Sequence, residues 1–100
     1  MVKVALFARL EAKGGKEKDL EKLLCAGLGM ALEEGTTPVW LAVRMGPSTF
    51  GIFDAFLDEE GRQSHLAGPI AAALMKQAKD LLKEPPVMEM MDVLAAKLPR

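Results

Sequence analysis

The hydrophobic pattern of the chain alternates between a period of two residues and a period of three to four, which are typical of strands and helices. Strands are predicted at residues 2–11, 38–45, 49–57 and 87–96. Helices are predicted at residues 16–34, 59–66 and 69–83. The order β-α-β-β-α-β, with the second helical region in two pieces, predicts an α+β ferredoxin-like domain. Right-handed crossovers would place its helices on one face of a four-stranded antiparallel sheet.

Turn and cap residues support these boundaries. Gly35 is a natural stop for the first helix, and residues 45–48 form a short turn that predicts an antiparallel hairpin. Asp58 can cap the helix at residues 59–66, and Pro69 suits the first position of the helix that follows. Pro85-Pro86 ends that helix.

Both faces of the predicted strands are apolar. The third strand carries Phe50, Ile52 and Phe56 on one side. On its other side it carries Phe53, Ala55 and Leu57. Helices can cover only one face, and an uncovered apolar face of this size is unfavourable in a soluble monomer. The pattern therefore predicts a homodimer packed sheet to sheet. The charged strand residues would pair across the dimer or line a cavity; they are Arg9, Arg44, Asp54, Glu89 and Asp92.

The composition indicates one globular domain over residues 1–100. The chain has 13 basic and 14 acidic residues and no basic cluster, which argues against nucleic acid as a partner. The single cysteine, Cys25, allows no intrachain disulfide and fits a reducing compartment; its place in the apolar stripe of the first helix predicts a buried, inert thiol. Residues 1–9 have neither a signal-peptide layout nor a membrane span, so the prediction is a cytoplasmic protein.

The segment from Phe50 to Met75 resembles the antibiotic biosynthesis monooxygenase domain family of dimeric α/β-barrel proteins. The resemblance lies in the aromatic strand Phe50–Phe56, the acidic helix start Asp58–Glu60 and the histidine His65 ahead of the next helix. It implies two sheets packed face to face and a pocket between the helices and the sheet of each chain. Some members of that family oxygenate phenols, quinols or polyketides without metal or flavin, and others degrade haem.

His65, the only histidine, is the candidate catalytic residue. It is either a proton carrier or substrate anchor in the pocket, or a helix-end histidine that caps carbonyl groups. No metal or other cofactor is predicted, because one histidine and one cysteine forty positions apart cannot form a ligand cluster. The haem-degrading relatives use a further histidine in the second helix, where this chain reads Ala72-Ala73-Leu74-Met75.

Several further residues are candidates for substrate binding. Trp40 would wall a pocket for a planar ligand or fill the core. Arg9 and Arg44 would hold an oxyanion or form ion pairs with Asp54 or Glu89. The remaining candidates, which are either pocket wall or core, are Phe53 and Phe56.

The leading functional hypothesis is a cofactor-independent monooxygenase that binds a small planar aromatic. An apolar pocket would remove water from a phenol or quinol, and a base such as His65 would favour its electron-rich anion. Arg9 or Arg44 would hold the developing negative charge. The alternative is a non-catalytic dimeric module that binds an apolar metabolite or scaffolds a complex. Haem binding is a third hypothesis.

Overall fold

The computed structural model describes residues 1–99, which form one four-stranded sheet and three helices. In chain order the elements are β1 (Val4–Glu11), α1 (Glu17–Glu33), β2 (Val39–Arg44), β3 (Thr49–Phe56), α2 (Glu59–Leu66), α3 (Pro69–Leu81) and β4 (Val87–Asp92). The strand order is β2-β3-β1-β4, and every neighbouring pair is antiparallel. The predicted ferredoxin-like α+β topology is confirmed. Within residues 1–99, no helix combines the length and the apolar character needed to cross a membrane.

The last strand is shorter than predicted. β4 ends at Asp92, which lies opposite Val4 at the start of β1. Val93 still donates its backbone N–H to Lys3 O at 2.8 Å, but the chain beyond has almost no partner strand left to pair with. The apolar residues after this point therefore face water, and Leu94 is 93% exposed.

The main core lies between the helices and the inner face of the sheet. Side chains of alternate strand positions meet apolar stripes of α1 and α3, as the periodicity predicts. The buried members include Leu6, Ala8, Leu10, Leu20, Leu24, Phe50, Ile52, Phe56, Ile70, Leu74 and Leu81. Complete burial of one such large side chain stabilises the fold by roughly 1.5–3 kcal/mol, so this layer is the main source of stability.

Cys25 lies outside this layer, contrary to the prediction that it belongs to the buried stripe. The buried positions of α1 are Leu20, Leu24, Gly27 and Ala31, spaced three or four residues apart. Cys25 follows Leu24 directly and is turned by about 100° around the helix axis. Its side chain is therefore exposed.

Gly27 allows α1 to lie close to the sheet. A Cβ atom at this position would lie 3.2 Å from Cζ2 and 3.3 Å from Cη2 of Trp40. A glycine inside a helix costs roughly 1 kcal/mol relative to alanine. The indole ring thus occupies space that a side chain at position 27 would need.

The outer face of the sheet is covered by no element of the chain. We call it the open face; its residues include Phe7, Arg9, Val39, Leu41, Val43, Phe53, Glu89 and Met91, which share one side in the strand registers. Phe7 and Phe53 lie opposite each other, and Leu41 is 54% exposed. The open face is thus mostly apolar, with Arg9, Glu11 and Glu89 as its charged members.

A buried arginine joins α2 to the sheet. The Nη1 group of Arg62 donates to the carbonyl oxygens of Ala5 at 3.0 Å and Met91 at 3.3 Å. Its Nε donates to Glu59 Oε2 at 3.1 Å, and its Nη2 also contacts the Glu59 carboxylate. One guanidinium therefore connects α2 with β1 and β4.

Candidate functional site

His65 lies inside the helix–sheet layer, near the end of α2. Asp58 begins this helix by accepting a hydrogen bond from the backbone N–H of Gly61 at 2.8 Å, as expected for a helix cap. One side of α2 then faces the sheet, so His65 is only 5% exposed. Its ring packs against Phe56 with a centroid separation of 5.5 Å.

The imidazole ring is held between two carboxylates. Its Nδ1 lies 2.7 Å from Glu34 Oε1, just after α1, and its Nε2 lies 2.8 Å from Asp54 Oδ2, on β3. A neutral imidazole has one N–H, whereas contact with two carboxylates favours the doubly protonated ring. Burial acts to lower the pKa of His65, but Asp54 and then Glu34 outweigh it and raise this pKa to about 9. The ring is therefore a cation at neutral pH.

Glu34 forms the outer end of this cluster. Its Oε1 also accepts a hydrogen bond from the Thr37 hydroxyl at 2.8 Å. Only 13% of the Glu34 side chain is exposed. We call Asp54, His65 and Glu34 the carboxylate–histidine cluster. It carries two negative charges and one positive charge.

Asp54 is the most deeply buried charged group of the cluster, with 1% exposure. Its Oδ2 lies 2.8 Å from Nε2 of His65, whereas its Oδ1 accepts no hydrogen bond within residues 1–99. Buried polar atoms are paired in the great majority of native structures. Asp54 therefore offers an acceptor that the described chain leaves without a donor.

One small cavity lies beside the cluster, and a second adjoins the first. One has a volume of about 30 Å³ and is lined by Asp54 and His65 among aliphatic side chains. The other has about 40 Å³ and is lined by Trp40 and apolar residues of α1 and α3. Both cavities are bounded by the same three side chains, Ile52, Ile70 and Leu74. Each has room for water, whereas an engineered cavity that binds benzene measures about 150 Å³.

The structure brings together three of the residues predicted for the site. His65 and Phe56 are in contact, and Trp40 lines the neighbouring cavity. Phe53 and Arg9 lie on the open face, on the other side of the sheet. Within one chain they cannot contact a ligand bound beside His65.

Arg44 lies at the sheet edge and is paired on the surface. Its guanidinium contacts the Glu21 carboxylate and lies over the Phe50 ring, 5.4 Å from the ring centroid. The ion-pair partners predicted for Arg44 are Asp54 and Glu89. Asp54 instead pairs with His65, because it lies on the helix side of β3.

No metal centre is present in the described part of the chain. Among residues 1–99, no group of three or more histidine, cysteine, aspartate or glutamate side chains has an arrangement that could hold a metal ion. In the carboxylate–histidine cluster the two carboxylates occupy opposite nitrogens of one ring, which leaves no common point for chelation.

Comparison with solved structures identifies a close relative. The Nitrosomonas europaea protein NE2512, described as a protein of unknown function, is 56% identical over 100% of this chain and 97% of its own, with a TM-score of 0.98. No family model matches the sequence, and no curated protein matches it either.

More distant structures share the fold. A proposed antibiotic biosynthesis monooxygenase from Nitrosomonas europaea is 12% identical, with 92% of this chain and 99% of that chain covered and a TM-score of 0.83. A second such protein, from Deinococcus radiodurans, is 17% identical, with coverages of 97% and 98% and a TM-score of 0.79. The fold is thus that of the antibiotic biosynthesis monooxygenase domain.

Proposed function

The chain belongs to the same family as NE2512 of Nitrosomonas europaea, and on that premise we propose that it is an oxygenase that binds a small planar aromatic between its helices and its sheet. The observation that carries the proposal is the carboxylate–histidine cluster, which places a buried acceptor, Asp54, beside an interior cavity. The distant relatives described as monooxygenases have the same fold. Fold alone does not define an activity, so the cluster is the main support for this function.

The proposed chemistry starts with proton transfer within the cavity. A phenol hydroxyl would donate to Asp54, and the ring cation of His65 holds the Asp54 carboxylate in place from its other side. If the proton moves to Asp54, the total charge of ligand and cluster stays the same, so no new charge is created in a low-dielectric interior. Asp54 thus takes the role of base that the sequence analysis gave to His65, because His65 already carries its proton at neutral pH.

The electron balance requires no cofactor. The phenolate is electron-rich and would react with dioxygen at a ring carbon that carries hydrogen. One oxygen atom forms the new carbonyl group of the quinone and the other leaves as water, while the substrate supplies all four electrons. The chain contributes desolvation, orientation and proton transfer.

The function is tested by oxygen consumption. We expect the purified chain to consume oxygen with at least one member of a phenol and quinol panel. Asp54→Asn is expected to lower the rate at least a hundredfold, within the usual range for loss of a general base. The matched control is Asp19→Asn, because the Asp19 side chain is 54% exposed on α1. Absence of oxygen uptake across the panel would contradict the proposal.

The small size of the two cavities favours a second candidate function. At about 30 and 40 Å³, neither holds an aromatic ring unless Ile70 and Leu74 of α3 move. A non-catalytic module that binds a small apolar metabolite fits this interior as well. Ligand binding without oxygen uptake would identify it.

We propose further that the chain forms a homodimer through the open face. Leu41 and Val43 are exposed there, beside half-buried Phe7 and Phe53. A second copy would remove this apolar surface from water, which is the main driving force for association. The pairing buries the only large apolar sheet face that the helices leave uncovered in residues 1–99.

Sedimentation tests the dimer. At micromolar concentration the chain is expected to sediment with twice its monomer mass, and Leu41→Asp is expected to shift it to the monomer mass. Leu32→Asp serves as the control, since Leu32 is 77% exposed on α1 in the helix layer. A single-chain mass for the unaltered protein, or an equal effect of both substitutions, would count against the open face as the interface.

A further inference from the structure

The hydrogen-bonding groups that line the cavity beside Asp54 determine which ligands it can bind. Asp54 is 1% exposed, and its Oδ1 has no donor among residues 1–99. A ligand that carries a hydrogen-bond donor satisfies this buried acceptor. A ligand without a donor leaves the acceptor unsatisfied. We infer that the Asp54 cavity selects ligands with a hydrogen-bond donor on an apolar body and excludes both anions and ligands that only accept hydrogen bonds. The inference rests on the proposed binding site but not on the oxygen chemistry.

The charge of the site excludes anions. The carboxylate–histidine cluster has one more negative than positive charge, and no lysine or arginine lines either interior cavity. Arg44 is paired with Glu21 at the sheet edge, and Arg9 is exposed on the open face. A bound carboxylate or phosphate would therefore lose its hydration and meet a like charge in an apolar interior.

The cavity beside Asp54 also lacks a donor for neutral acceptors, whereas the unpaired Nε1–H of Trp40 belongs to a side chain that lines the neighbouring cavity. Both ring nitrogens of His65 are directed to carboxylates, Nδ1 to Glu34 and Nε2 to Asp54. The other side chains that line this cavity are apolar, among them Leu6, Leu66 and Met88. An ether or ester oxygen would thus be buried without a partner, whereas an aliphatic or aromatic body fits the lining.

Three probes with one benzene ring separate these properties. Phenol carries a donor, anisole is its methyl ether without a donor, and benzoate is an anion at neutral pH. Binding is followed by the NMR signals of the imidazole, which need no assignment because His65 is the only histidine. We expect phenol to bind at least tenfold more tightly than anisole, and benzoate to cause no saturable shift.

A variant with a larger cavity is tested as well, because the probes could fail to bind the unaltered chain for lack of space. Leu74→Ala removes part of the wall shared by the two cavities, so room for the ring no longer limits binding. Trp40→Phe is added because the widened space could otherwise offer the unpaired Nε1–H of Trp40 to anisole. We expect the same order of the three probes in this background. Adding Asp54→Asn introduces an amide N–H₂ donor, and phenol and anisole are then expected to bind within about threefold of each other. Adding Asp19→Asn instead is expected to preserve the order.

Each outcome has one meaning for the inference. Anisole or benzoate binding as tightly as phenol, in either background, would overturn it. Failure of all three probes to bind even Leu74→Ala would overturn both the inference and the proposed site. Selective binding of phenol without oxygen uptake would support the inference and reject the oxygenase activity, so the two proposals fail separately.

Discussion

Replacement of His65 by leucine is expected to lower the free energy of unfolding by about 3–5 kcal/mol. The substitution removes the cation from between Asp54 and Glu34, and the Asp54 carboxylate is left buried without compensation. Small domains have only about 5–15 kcal/mol of total stability, so the loss is a large part of the whole. Urea denaturation at pH 6.5, monitored by circular dichroism, measures it.

The double variant Asp54→Leu/His65→Leu shows whether the charge causes the loss. Buried ion pairs can often be replaced by apolar residues at little cost, and the remaining Glu34 lies nearer the surface. We expect the double variant to be at least 1 kcal/mol more stable than His65→Leu alone. Additive destabilisation would indicate that shape, and not charge, makes His65 important.

The His65 ring is also expected to make the folded chain less stable as the pH becomes alkaline. The pKa of His65 is about 9 in the folded chain and about 6.5 in an unfolded chain. Between these values the folded state holds one proton more than the unfolded state, so stability falls as pH rises. The contribution is complete below pH 6.5 and disappears as pH passes through about 9, a loss of roughly 3 kcal/mol. Denaturation from pH 6 to pH 10 should show this slope in the unaltered chain and not in His65→Leu.

Replacement of Arg62 by methionine is expected to lower the free energy of unfolding by about 2–4 kcal/mol, the second largest effect. Methionine keeps most of the apolar stem but no donors, so the carbonyl groups of Ala5 and Met91 lose their hydrogen bonds from Nη1. Buried groups that lose a charged donor are especially unfavourable. The loss is measured by urea denaturation.

Glu59→Gln is the matched control for Arg62. It weakens the ion pair, but the Glu59 side chain is 53% exposed, and exposed pairs contribute at most about 1 kcal/mol. The expected loss is therefore below 1 kcal/mol. If Glu59→Gln destabilised the chain as much as Arg62→Met, the ion pair and not the two carbonyl contacts would be the important interaction.

The fold could be predicted from the sequence because the local signals agree with one another. Alternation identified β1, an apolar run after a short turn identified β3, and the spacing of Leu20, Leu24 and Ala31 identified the buried side of α1. The end of β4 could not be predicted in this way. It depends on where β1 begins, which is a property of the partner strand and not of residues 93–96.

The candidate site was predictable only in part. His65 stood out as the only histidine, and Asp54 as a charge on a strand whose neighbours Ile52 and Phe56 are apolar. Their pairing depends on how α2 packs on β3, which the spacing of the two residues does not encode. Glu34 and Thr37 gave no signal, because a glutamate at a helix end is ordinary; only the tertiary contact across 31 positions reveals its role.

The close contact between Gly27 and Trp40 has a consequence for the interior of this family. The rigid indole acts as a spacer between α1 and the sheet, and the missing side chain at position 27 sets how thin that layer is. An alanine there would require the indole ring or the helix to shift by a few tenths of an ångström, and its methyl group would border the cavity that Gly27 and Trp40 line. A single methyl group at position 27, far from any charged residue, would therefore change the capacity of this interior.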